Sequence, residues 1–571
     1  MGEYKPLPIG VDDFKDIITK EYYYVDKTLF IKELLDKKGV VNLFMRPRRF
    51  GKTLSLSMVK YYFEKAYDFQ GNAIDNSYLF EKLKISQAGS AYQHESGQYP
   101  VIFLTLKSAK QRDFKMAYVM IARELAEEFK RHSHILKSTR LLEAEKKRYR
   151  DICAETAEPA QIYDAVRFLS ECLYKVYEKK VIILIDEYDV PLESAYLSGF
   201  YDDMAGFIRT LFESALKTNP YLEFSVITGC LRISKESIFT GLNNLNVISI
   251  LSDLYSEYFG FSKQEVEEAL RFYGREDKIE IVRKWYDGYW FGKSEVYNPW
   301  SVMKYIQDIV ENEHFFPRPY WANTSSNDIV RTLVEKADIS AKRELERLIE
   351  GESVEKTIHE EITYDEIEKS DDNLWNFLFF TGYLKKSEDV SEGRNIRLKL
   401  AIPDEEVKYI YENIIMDWFR KEIKKEDLSH LYKAFEQEDC KTAEEVIGSQ
   451  LLKTISFYDY AENFYHGFML GMLSQASDYI VKSNREAGNG RTDITMCTPS
   501  RKGMAIILEI KIAESFKGLE EVCSAGLKQI EERGYAEEFY RDGYENVKKY
   551  AIGFYKKDCE VKKMDVDNGE S

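Results

Sequence analysis

The stretch Val40–Val59, VVNLFMRPRRFGKTLSLSMV, decides the fold. Its first six residues are almost wholly apolar and read as a buried strand, and the segment from Lys52 to Tyr67 reads as a helix. Between them lies Gly51-Lys52-Thr53, a triplet placed where a phosphate-binding loop must sit. In such a loop, backbone N–H groups and the helix N-terminus receive phosphate oxygens. The lysine spans the β- and γ-phosphates, and the threonine hydroxyl meets Mg2+. The full pattern GxxxxGK[ST] asks for glycine at position 46, where Arg46 stands, so the triplet alone also fits an ordinary helix start.

Further apolar runs follow at Val101–Leu106 (VIFLTL), Val181–Ile185 (VIILI) and Phe224–Thr228 (FSVIT), with an amphipathic helix expected over Lys115–Arg131. Short aliphatic strands alternating with helices predict an α/β fold with a parallel sheet covered on both faces. VIILIDEYD sets Asp186 and Glu187 directly after a strand. There Asp186 can hold the Mg2+ water shell and Glu187 can polarise an attacking water. A solvated acidic turn is the plain alternative, but both elements in the right order, each on its own strand, favour a nucleotide site. FSVITGCLRIS offers Thr228 as a γ-phosphate sensor with Arg232 beyond it, although loop structure accounts for them equally well.

Several longer motifs surround these elements: YYYVDKT (Tyr22–Thr28), RPRRFGKT (Arg46–Thr53), LIDEYDVPL (Leu184–Leu192), TGCLRISKESIFTGLNN (Thr228–Asn244), EYFGF (Glu257–Phe261) and YDGYWFG (Tyr286–Gly292). On these motifs residues 1–300 resemble the AAA-ATPase-like family of bacterial proteins. The resemblance implies a P-loop ATPase fold that binds ATP with Mg2+. RPRRFGKT there replaces the glycine-rich loop, which makes Arg46 typical and sets Arg48 and Arg49 near the phosphates. From the residues alone, those two arginines suit anion binding and equally suit salt bridges at a sheet edge. YVDKT is expected to close over the nucleotide base.

After about Leu251 the pattern turns mostly helical. Around Leu374–Pro403 a helix, a polar turn and IRLKLAIP suggest a winged-helix module. Strands return at Ile494–Cys497, Met504–Ile510 and Tyr550–Phe554, with a helix near Gly518–Arg533. GNGRTDITM followed by KGMAIILEIKIA gives Asp493 and then Glu509-Ile510-Lys511. The two-residue period of a strand sets Glu509 and Lys511 on one face and Ile510 on the other. Asp493, at the start of the neighbouring strand, can bring its carboxylate to Glu509. Two carboxylates suit Mg2+ or Mn2+, and a lysine can orient water or stabilise the charge growing on a phosphodiester under attack. Upstream, Glu462 could reach the same metal, His466 lies one helical turn on, and Gln529 lies on the helix after the second strand. The arrangement resembles the PD-(D/E)XK nuclease superfamily over about residues 456–554, with Thr492 where the proline of that name stands. A D…ExK spacing also arises by chance in charged chains, and the helix–strand–strand–helix context argues for the site.

Composition sets the limits. The chain has 571 residues, more than a single core accommodates at roughly 250–300. Its 81 Lys and Arg against 98 Asp and Glu give −17, which excludes a passive, charge-driven coat on nucleic acid. Lys482, Arg485, Arg491, Arg501, Lys502, Lys511 and Lys517 cluster in sequence around the second site, a patch that could neutralise a phosphodiester backbone, although charge runs are usually only solvated faces. Seven scattered cysteines without a CxxC pair fit a reducing compartment, and no apolar run approaches the roughly 20 residues that span a bilayer. A cytoplasmic protein with no membrane part is therefore expected.

The resulting expectation is an ATPase region at 1–250, a helical middle at 251–455 with a winged-helix module, and a nuclease-like region at 456–571. The leading function is ATP binding and hydrolysis that gates a metal-dependent nuclease, with nucleic acid as partner, DNA ahead of RNA, in defence or repair. Arginines that complete a site in trans are common among such ATPases, which leaves a homo-oligomer open. The alternative is a nucleotide-dependent switch or scaffold that binds DNA or a protein without cutting.

Overall fold

A parallel strand buried on both faces must be apolar throughout, and VIILID is buried at all six positions. In the computed structural model this strand lies inside a five-stranded, wholly parallel sheet. The structure describes residues 5–564 except 69, 218, 232–237, 240–242, 322–326, 338, 361–370, 392–394, 413, 415–426, 455–461, 475, 477 and 488–489. The strands are β1 (Val41–Met45), β2 (Val101–Thr105), β3 (Val181–Asp186), β4 (Leu222–Gly229) and β5 (Leu245–Ile248), in the order β2-β3-β4-β1-β5. Helices α1 (Lys52–Phe63), α2 (Phe114–Arg131), α3 (Ala165–Tyr177) and α4 (Val190–Ser198) join them.

Two boundaries differ from expectation. Helix α1 stops at Phe63 rather than Tyr67, because Glu64 turns extended, with ψ 121°, and its buried carboxylate takes the Arg131 guanidinium. Lys65 N–H then bonds the Tyr99 carbonyl at 2.8 Å, and Ala66–Tyr67 pairs as a short strand with Ala73–Ile74. Strand β5 was not expected at all. It lies at the sheet edge, and LNVI is only partly buried.

The middle of the chain is mainly helical, as expected. It includes α5 (Pro299–Glu311) and α6 (Asp371–Phe380), with a small hairpin of β6 (Tyr289–Phe291) and β7 (Ser294–Val296) before them. After α6 come β9 (Lys385–Asp389) and β10 (Arg397–Ala401), and β8 (Val354–Thr357) precedes it. The three strands form an antiparallel sheet in the order β8-β10-β9. The Glu406 carboxylate is fully buried just beyond β10, where it accepts from Ser301 Oγ at 2.7 Å and Trp321 N–H at 2.8 Å.

The C-terminal region begins with α7 (Glu462–Leu473) and builds a five-stranded sheet. Its strands are β11 (Ile480–Ala487), β12 (Gly490–Cys497), β13 (Met504–Ile512), β14 (Asn546–Tyr555) and β15 (Asp558–Lys563), in sequential order. Only β13 and β14 pair in parallel, because helix α8 (Leu519–Glu532) carries the chain between them. Ile506, Leu508 and Ile510 point into a core shared with Phe468, Met469 and Met472 of α7, while Ala505 and Ile507 face a second cluster with Ile530 and Phe539. By packing, the chain divides into two compact units, Met1–Leu333 with Ser353–Tyr409, and Val334–Glu352 with Ile410–Ser571.

Two glycines bring α8 onto its sheet. A Cβ on Gly526 would lie 2.9 Å from Ala551 Cβ, and one on Gly553 would lie 2.9 Å from Cys523 Sγ and 3.1 Å from the Leu519 carbonyl. Gly553→Val should therefore push α8 off β14 and destabilise the C-terminal unit by about 1–3 kcal/mol, read as a lower denaturation midpoint.

Burial also sets a pH dependence. It pushes the Glu406 carboxyl up to about 8 and the nearby Asp404 carboxyl well above its usual range, with Glu406 adding to the shift. The native state thus keeps protons that the unfolded chain releases. That stability is fully present below the ordinary carboxylate range and is lost as pH rises through the folded value. Melting temperatures should fall between about pH 5 and about pH 8, and Glu406→Gln should flatten that fall.

Candidate functional site

The first site lies at the carboxyl ends of β1, β3 and β4. Residues following β1 curl tightly: Arg49 has φ +69° and Gly51 has φ +80° at the N-cap of α1. The curl brings Lys52 and Thr53 over the sheet. Thr53 Oγ1 donates to Asp186 Oδ2 at 2.7 Å, and Thr228 Oγ1 donates to Asp186 Oδ1 at 2.5 Å. Asp186 is 1% exposed. Three residues read separately from the sequence thus meet at one buried carboxylate.

Lys52 is almost as buried. Its ammonium donates to the Arg46 and Pro47 carbonyls, both at 2.9 Å, and lies 3.5 Å from Cys230 Sγ. Lys52, Thr53, Arg48, Arg49 and Glu187 line one cavity of about 950 Å3. Glu187 follows β3 in a left-handed conformation, φ +52°. Burial pushes its carboxyl up, and the neighbouring Asp186 adds to the shift. Arg48 pairs with Glu193 on α4 at 2.5 Å, and the Arg49 guanidinium stacks over the Trp300 ring at 4.4 Å. Both arginines therefore stand at the phosphate loop, and each also has a protein partner.

Arg46 does not join them. Its side chain is fully buried and bonds the Met45 and Ile248 carbonyls. The YVDKT stretch contributes Tyr24, Val25 and Lys27 to the cavity wall. Within it, Asp26 accepts from Thr28 Oγ1 at 2.6 Å, and Lys27 pairs with Glu265 at 2.6 Å. Arg232 lies outside the described residues.

One member of this site was missed. Asp189, buried, accepts the N–H groups of Cys230 and Leu231 at 2.7 and 3.1 Å and so ties the turn after β3 to the turn after β4. Its signal was available in LIDEYD, an acid one turn beyond the pair already singled out.

The second site lies in the C-terminal sheet. Asp493 sits mid-strand in β12, which starts at Gly490 rather than beside it. The β12–β13 register pairs Ile494 with Leu508, so one further step sets Asp493 opposite Glu509. Backbone pairing stops there, and Asp493 Oδ2 instead accepts the Ile510 N–H at 2.8 Å. Glu509 is 1% exposed, and its Oε1 accepts from Lys511 Nζ at 3.0 Å and from the Gln529 amide. Gly526, one turn before Gln529, gives α8 the closeness that this contact requires.

His466 Nε2 lies 2.8 Å from the Asp493 carbonyl oxygen, which can only accept. The ring therefore donates, and it holds the strand rather than a ligand. Glu462 begins α7, and its side chain lies outside the described residues, as do those of Arg485 and Arg491. Among the described residues no group of three or more His, Cys, Asp or Glu side chains converges on a metal position. The remaining donors, two carboxylates beside a lysine, are oxygen-only and fit a hard divalent cation.

Not all of the basic patch stands at the site. Arg501 and Lys502 occupy the turn between β12 and β13, seven or eight residues before Glu509 on an extended strand. At about 3.3 Å per residue the strand from Met504 to Glu509 alone spans ~16 Å, so the turn lies at the far end of β13 from the site. Lys517 follows the other end of β13, nearer the site.

Comparison with known proteins agrees with this division. Residues 8–239 match the family model described as predicted AAA-ATPase, and residues 460–564 match that of the PD-(D/E)XK nuclease superfamily. An uncharacterized protein in the vnfD 5′ region of Azotobacter chroococcum mcd 1 is 26% identical over 558 residues, covering 94% of each chain. No helix among the described residues is long and apolar enough to cross a membrane. The chain thus carries one region similar to the predicted AAA-ATPase family and another similar to the PD-(D/E)XK nuclease superfamily, the pairing that its motifs imply.

Proposed function

We propose that the protein binds and hydrolyses ATP and that its nucleotide state gates a metal-dependent nuclease acting on nucleic acid, DNA ahead of RNA. The observation that carries the reading is the meeting of Thr53 and Thr228 on Asp186, because it assembles a strand-end acid with a phosphate-loop hydroxyl. Lys52 leaves the Arg46 and Pro47 carbonyls for the β- and γ-phosphates, and Glu187, its carboxyl raised by burial, takes a proton from the attacking water. Thr53 and Asp186 would hold Mg2+, which when bound neutralises phosphate charge.

In the C-terminal region Asp493 and Glu509 would hold Mg2+ or Mn2+. Lys511 orients water or stabilises the growing negative charge, and Gln529 fixes the Glu509 carboxylate. The donor set supports this reading over a bare binding surface, since a retired site has no need to keep Lys511 beside Glu509.

Lys52→Ala should weaken ATP binding at least about tenfold and abolish turnover, measured by calorimetry and phosphate release. Wild-type values in that variant would remove the phosphate-loop assignment. With Mg2+ or Mn2+, the full-length protein should cut single- or double-stranded substrates, and ATP should change the rate. Asp493→Ala and Lys511→Ala should each slow cutting by roughly a hundredfold or more, and Gln529→Ala by about tenfold. Absence of cutting alongside intact ATP binding would leave the switch or scaffold function in its place.

A further inference from the structure

Two aromatic motifs, EYFGF and YDGYWFG, surround one charged side chain, and the first of them also lines the cavity with Tyr258 and Phe261. The Arg46 guanidinium is fully buried between the rings of Phe259 and Phe291, at 5.2 and 4.9 Å from their centroids. Nη1 donates to the Met45 and Ile248 carbonyls at 2.9 and 3.0 Å. Nε and Nη2 are buried without a hydrogen-bond partner, and among the described residues no carboxylate pairs with this arginine. Burial pulls its pKa down to about 9, which leaves it charged at neutral pH.

An unpaired buried cation is costly, and stacking on two aromatic rings offsets only part of that cost. An apolar side chain would fill the same bed more favourably. The backbone of Arg46, however, opens the phosphate loop: its carbonyl takes the Lys52 ammonium at 2.9 Å. The side chain therefore sets a positive charge in a low-dielectric layer directly behind the loop, where its field is weakly screened.

We propose that Arg46 is a positioning residue for phosphate binding, a cation held without a counter-charge behind the loop and balanced when the polyphosphate of a nucleotide occupies it. The inference rests on the phosphate-loop reading above. It assigns to the arginine at the position where the glycine of the loop pattern stands a role that requires no contact with the ligand. It also explains why the two aromatic motifs accompany this loop.

The test uses the full-length protein, with Arg46→Met and Arg46→Lys, titrated calorimetrically with AMP, ADP and ATP. Without nucleotide, Arg46→Met should melt at or above the wild-type temperature, because it removes a desolvated charge. Its affinity for ATP should fall by about tenfold or more, and the loss should grow from AMP through ADP to ATP. Arg46→Lys, which keeps the charge, should stay within roughly threefold of wild type. Packing alone would lower the melting temperature and weaken all three nucleotides alike. Failure of Arg46→Met to fold, equal losses for AMP and ATP, unchanged ATP affinity, or an Arg46→Lys as weak as Arg46→Met would each overturn the proposal. A wild-type protein that binds no ATP would instead overturn the phosphate-loop reading itself.

Discussion

Asp186 must be satisfied. A carboxylate that is 1% exposed at the end of a fully buried strand has no water to fall back on, so the fold supplies donors from two other segments. Thr228 comes from β4, next to β3 in the sheet, and Thr53 comes from the first turn of α1, which follows β1, one strand further on. The strand order β2-β3-β4-β1-β5 is what brings these groups to one edge. In open α/β sheets the crevice at the carboxyl ends of such strands is where ligands bind. The cavity beside Lys52 and Glu187 opens there.

The same requirement recurs with different solutions. Asp189 takes two backbone N–H groups, Asp493 takes one, and Glu509 takes an ammonium and an amide. Hydroxyls and backbone groups can be turned aside when a cation arrives, whereas the Lys511 ammonium repels one. Asp186 is therefore poised to exchange neutral donors for a cation. Under the proposed function Glu509 would share its carboxylate between a metal and a lysine, which would set Lys511 close to a phosphodiester drawn to that metal.

What the sequence disclosed followed from burial. A strand buried at every position, VIILID, stands out as an aliphatic run in any window, and VIFLT does so too although it lies at a sheet edge. Ile480–Ala487, with its mixture of lysine, serine, asparagine, arginine and glutamate, lies at a sheet edge, and LNVI at Leu245–Ile248 lies at another. Neither of these two edge strands carries a continuous apolar run. The motifs placed Lys52, Thr53, Asp186 and Thr228 together because each stands at a strand or helix end, a position that local pattern can mark. Arg46 escaped such reasoning. Its backbone and side chain face different surroundings, and only the three-dimensional packing of Phe259 and Phe291 reveals the second one. Arg501 and Lys502 illustrate a related limit, because closeness along the sequence becomes distance along an extended strand.

Backbone strain points to the same place as the electrostatics. Several non-glycine residues with positive φ have an ordinary purpose: Lys38, Glu178 and Glu438 end helices, and Lys556 turns a hairpin. Arg49 and Glu187 do neither. Each left-handed residue costs about 1–2 kcal/mol, which surrounding structure must hold in place. Trp300 stacked on Arg49, and the turn that Asp189 ties down after Glu187, supply that restraint. Both strained residues line the cavity, one on the phosphate loop and one beyond the strand-end acid. Relaxing either would change the direction in which its side chain leaves the backbone at the cavity wall. The strain therefore fixes the direction of one cation and one raised carboxyl in the wall of the same cavity, as the proposed function requires.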